Sequence, residues 1–101
     1  MTTAPGEGTG TRQELTSELA TLDRQLREIS QQWDEVEQSI SEKVRHRREL
    51  LARQEETNED HSEELQRLQS EVYALRDRLD QLRDSRLDFS ALYRVLKEAR
   101  P

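Results

Sequence analysis

Between Leu15 and Ile40 the chain sets Leu15, Leu19, Leu22, Leu26, Ile29, Trp33, Val36 and Ile40 at steps of 4, 3, 4, 3, 4, 3 and 4, with almost nothing apolar in between. On an α-helix this spacing becomes one continuous stripe, and a stripe so narrow is the seam of a coiled coil. A seam requires a partner surface.

Composition supports the same reading. In 101 residues, 31% hydrophobic and 4% aromatic content cannot fill a broad core, so the chain folds around its stripe as one domain at most. Charged residues make up 38%, the balance of a long helix. A disordered chain could share that charge but would lack the apolar period.

A net charge of −6 argues against coating nucleic acid or anionic membrane as a whole, while leaving local basic patches open. No cysteine is present, which removes disulfides and thiolate chemistry. Met1 to Gly10 contains neither an apolar run nor a basic start, and no window approaches a membrane span. The expectation is an intracellular, cytoplasmic protein, although sequence does not determine the compartment.

Residues 1–10 hold all three glycines together with Pro5, and are expected to form a disordered tail. Thr11-Arg12-Gln13-Glu14 fits a capping box, so a first helix is expected over 11–56. Charges spaced by four, such as Asp23 with Arg27, add only roughly 0.2–0.5 kcal/mol each, leaving the seam to hold the structure. Beyond Ile40 the strict repeat would turn Lys43 and Arg47 inward. A stutter instead selects Val44, Leu51 and later Leu65.

Gln54 to Glu64 carries no large apolar residue and is rich in cap formers: Thr57, Asn58, Asp60 and Ser62. A polar turn is expected at 57–61, with Asp60-His61-Ser62-Glu63 as a capping box opening a second helix over 62–99. One uninterrupted helix in a dimeric coiled coil is the alternative. The second seam comprises Leu65, Leu68, Val72, Leu75, Leu79, Leu82, Phe89, Tyr93 and Leu96, with Arg86 interrupting it. Apolar residues broaden beyond the seam near 85–88, which suggests a kink or a short third helix capped near Asp88.

Folded back about Asn58, the two seams face each other. Leu51 meets Leu65, Val44 meets Val72, Ile40 meets Leu75, Val36 meets Leu79, Trp33 meets Leu82, Leu26 meets Phe89, Leu22 meets Tyr93 and Leu19 meets Leu96, while Ile29 meets Arg86. Antiparallel pairing keeps the basic stretch Lys43 to Arg53 and the acidic turn from lying against themselves. Asn58 at a core-type position points the other way, since such residues often specify parallel dimers. The expected fold is all-α: two long amphipathic helices in an antiparallel hairpin.

Lys43, Arg45, Arg47 and Arg48 form the densest charge cluster and could contact phosphate or an acidic partner. A helix spreads them around its circumference, and no aromatic residue within the cluster can stack a base. His46 and His61 lack companions at metal-ligand spacing. No phosphate loop, nucleophile arrangement or convergent carboxylate pair is present. No cofactor, metal or enzymatic activity is therefore expected.

Three stretches bear a local likeness to known families. Leu22-Asp23-Arg24-Gln25-Leu26 with Leu87-Asp88-Phe89-Ser90 resembles the small helical chorismate mutases, but Trp33 stands where that family has an arginine. Length and hairpin resemble the small secreted WXG proteins, yet Trp33 is followed by Asp34-Glu35 without a glycine. Trp33 with Arg47-Arg48-Glu49-Leu50 is similar to the last helix of a spectrin repeat, over about 35 residues, with no counterpart for its other helices.

The functional expectation is a protein-interaction module acting through its seams as a scaffold, adaptor or small subunit, in a homo-oligomer or a heteromeric coiled coil. A nucleic-acid-binding helical arm using the basic cluster is the alternative. The residues expected to stay partly uncovered on a lone hairpin, and so to meet a partner, are Leu50, Tyr73, Leu87, Leu92 and Val95.

Overall fold

The computed structural model describes the backbone of residues 3–99 and the side chains of residues 12–99. It is all-α. Helix α1 is Thr3–Thr57 and helix α2 is Ser62–Glu98, packed antiparallel as a helical hairpin. Although α1 is drawn through Thr3, the Thr11 hydroxyl and the other side chains that would distinguish a tail from a capped helix lie outside the described residues.

The turn explains why the chain is not one long helix. Asn58 takes φ 59°, the left-handed conformation that Asn tolerates better than most residues, and its N–H reaches back 3.1 Å to the Gln54 carbonyl. That bond closes the last turn of α1 and the positive φ ends it. Asn58 is thus an exposed helix stop, not the buried polar residue of a parallel dimer.

Helix α2 starts by a different device from the expected capping box. The Asp60 carboxylate accepts the backbone N–H of Ser62 at 3.0 Å and also its hydroxyl, so it forms an Asx-type turn and does not reach Glu63. The backbone bond from Leu65 N–H to the His61 carbonyl, 2.9 Å, then begins the helix. Glu63 and Glu64 in the first turn and Lys97 in the last oppose the helix dipole. Helix α2 is assigned without a break through 85–88, so no third helix opens at Asp88.

The chain divides into two compact units. In the unit Gln31–Arg83, three contacts across the helices set the register. Lys43 Nζ lies 2.8 Å from Glu71 Oε2, His46 Nε2 lies 3.1 Å from Glu64 Oε1, and Arg78 donates to Gln32 Oε1 at 2.9 Å. At the closed end, the His61 N–H donates to Gln54 Oε1 at 3.2 Å, so a polar pair completes the last layer.

The structure corrects the expectation that Leu51 lies in the seam: Leu50 is only 3% exposed whereas Leu51 is 37% exposed, while Lys43 and Val44 are both half-buried and Arg47 is exposed. Of the two cations that a strict repeat would turn inward, Lys43 finds a carboxylate and Arg47 is exposed. Leu68, Val72 and Leu82 are buried from α2, with Trp33, Val36, Ile40, Leu65, Leu75 and Leu79 half-buried around them.

The other unit consists of α1 before Gln31 and α2 after Arg83. Leu19, Leu22 and Ile29 are buried, and Leu26, Phe89, Tyr93 and Leu96 are half-buried. Leu22 of α1 shares a groove with Leu92 and Leu96 of α2. Both seams are therefore spent on each other.

Candidate functional site

With the seams consumed internally, what remains for a partner is apolar surface outside them. Leu87, Leu92 and Val95 are 59%, 47% and 62% exposed within a few turns at the end of α2. Their cause is visible in the sequence: past Asp84, apolar residues fall on positions pointing away from the seam as well as on it. A two-helix packing can cover only one stripe of a helix. Tyr73, also expected to be uncovered, is exposed on the other unit with its hydroxyl 3.2 Å from Gln69 Nε2.

Leu50 and Leu51 exchange roles relative to expectation. Leu50 belongs to the core and is unavailable to a partner, while Leu51 is at the surface. One residue of register separates the two outcomes.

The exposed Leu92 lines an open groove together with Ser17, Glu18, Thr21, Leu22 and Leu96. Three leucines, Leu22, Leu92 and Leu96, line it with the polar Ser17 and Thr21 of α1, and its one charge is Glu18. Such a groove suits a helix side chain better than a polar metabolite, because it offers no converging set of donors or acceptors.

The basic cluster is dispersed. Lys43 is half-buried and bonded to Glu71, whereas Arg45, Arg47 and Arg48 are exposed. His46 faces Glu64 across the helices. The Lys43 hydrogen bond holds the Glu71 carboxyl below its ordinary range despite partial burial, with the charges of Lys43 and Arg67 acting in the same direction. Near the turn, the Ser62 hydroxyl and backbone N–H lower the Asp60 carboxyl in the same way, helped by His61.

A second depression, at the turn, is lined by Asp60, His61, Glu63, Glu64 and Arg67. The half-buried His61 ring places Nε2 3.2 Å from a Glu59 carboxylate oxygen but outside hydrogen-bond geometry. Among the described residues, no group of three or more potential ligands could hold a metal ion, and no helix is long and apolar enough to cross a membrane.

Compared with protein-family models, curated proteins and solved structures, the chain finds no match in any of the three.

Proposed function

We propose that this chain is a non-catalytic helical hairpin that binds other proteins, serving as a scaffold, adaptor or small subunit of a larger assembly. Its seams build the hairpin, and its partner surface is the C-terminal part of α2. The observation that carries this reading is the exposure of Leu87, Leu92 and Val95 together on one short segment. Single exposed leucines are ordinary on a protein surface, but Leu92 and Val95 lie one turn apart and Leu87 is exposed on the same short segment, apolar surface that a partner helix would desolvate. At about 25 cal/mol per Å² of apolar area, covering it is favourable.

The test is solution mass by light scattering on the full chain and on a Leu92→Gln/Val95→Gln variant, alone and mixed with candidate helical partners. The reading expects association that the double variant loses while its helix content is unchanged. Equal association of both proteins would overturn it. The basic-cluster alternative draws less support, since Lys43 is already committed to Glu71.

A further inference from the structure

The unit built from α1 before Gln31 and α2 after Arg83 has two flanks beside its seam, and they carry opposite charge. In an antiparallel pair, residues on one side of the first seam lie beside residues on the same side of the second. On the side that holds the Leu22–Leu92–Leu96 groove, α1 contributes Glu14, Glu18, Thr21, Gln25 and Glu28, and α2 contributes Ser85, Asp88, Leu92 and Val95. Among the described residues, that flank has four carboxylates and no cation. The opposite flank holds Arg27, Arg94 and Lys97, with Asp23 its one acid, already paired to Arg27 at 2.8 Å.

The apolar part of the acidic flank is also the accessible part. Leu92 and Val95 lie one turn apart, Asp88 precedes Leu92 by one turn, and Glu18 lines the groove itself. A side chain entering beside Leu92 therefore meets apolar surface rimmed by negative charge. Resting on the partner-surface reading above, we propose that this groove docks an amphipathic helix from another protein whose apolar stripe is flanked by lysine or arginine. A cationic rim on that helix would gain from Glu14, Glu18 and Asp88 while its apolar side chains cover Leu92 and Val95. Two copies of this chain joined through the same face would set carboxylate against carboxylate, so charge disfavours a symmetric dimer there.

Two synthetic helices test this, sharing one leucine stripe and carrying either lysine or glutamate beside it. Binding to the full chain is measured by fluorescence anisotropy at low and at raised salt. The lysine-flanked probe should bind at least about tenfold more tightly than the glutamate-flanked one. Raised salt should shrink that preference, Glu18→Gln/Asp88→Asn should reduce it, and Leu92→Gln/Val95→Gln should remove binding. Equal binding of both probes, lost in the leucine-valine variant, overturns the charge assignment and leaves the partner surface standing. Binding that survives the leucine-valine variant overturns the groove. Failure of both probes with a chain that stays monomeric overturns both readings, and self-association lost in the Leu92 variant replaces the proposed partner by a second copy.

Discussion

Lys43 Nζ on α1 lies 2.8 Å from the Glu71 carboxylate on α2. A lysine near a coiled-coil seam costs stability unless its charge reaches water or a carboxylate, and here the head of the half-buried Lys43 finds Glu71. Two turns further along α1, Leu50 is buried.

Leu50 and Leu51 therefore respond differently to truncation. Leu50→Ala should cost about 2–4 kcal/mol, as for a buried leucine, and Leu51→Ala less than about 1 kcal/mol. Urea unfolding of the two variants compares them directly, and the reverse order would put Leu51 back in the seam.

How far the fold could be read in advance turns on these same residues. From Leu15 to Ile40, and from Leu65 to Leu96, regular apolar spacing makes the seams and their pairing legible. At the closed end the pattern alone selects Leu51 over Leu50, because periodicity weighs a cation such as Lys43 near the seam as an error and is blind to a carboxylate on the facing helix. The exposed Leu87, Leu92 and Val95 were legible for a simpler reason: two helices have one stripe each to share. The groove's one-sided charge needed the register, since only pairing tells which flanks lie together.

Asn58 gives a backbone test. At φ 59° a β-carbon is strained unless the side chain can bond locally, so Asn58→Ala should destabilise by about 1 kcal/mol and Asn58→Gly should be close to neutral or stabilising. Thermal melts distinguish these from a continuous helix, in which alanine would be the better residue and glycine the worse.

Acid should weaken the hairpin through Asp60 and Glu71. Both carboxyls are held below their ordinary values of 3.8 and 4.5, so the folded chain resists their protonation more than the unfolded chain does. Their contribution is complete above those ordinary values and is lost as pH falls through the lower folded ones. Urea midpoints of the parent and of Glu71→Gln should differ at pH 7 and converge as the pH is lowered past about 4.5. A gap that persists in acid would mean Glu71 acts by packing alone.

Trp33 lies in the seam but is half-buried, short of the full enclosure its position suggests. Removing a fully buried tryptophan costs roughly 3–5 kcal/mol, so Trp33→Ala should cost about 2–3 kcal/mol. A loss below about 1 kcal/mol in denaturant titration would place the ring outside the core.

In the hairpin α1 and α2 of one chain pair with Lys43 against Glu71, and the native sequence allows that pairing to be read covalently. It has two lysines, Lys43 and Lys97. A zero-length carbodiimide joins a lysine to a carboxylate only where the two touch. Treating the dilute native chain and mapping the products by mass spectrometry should give a Lys43–Glu71 amide in a species of single-chain mass, 11.9 kDa. The same amide found only in two-chain products, or its absence while Lys43 links elsewhere, would contradict the hairpin and its register.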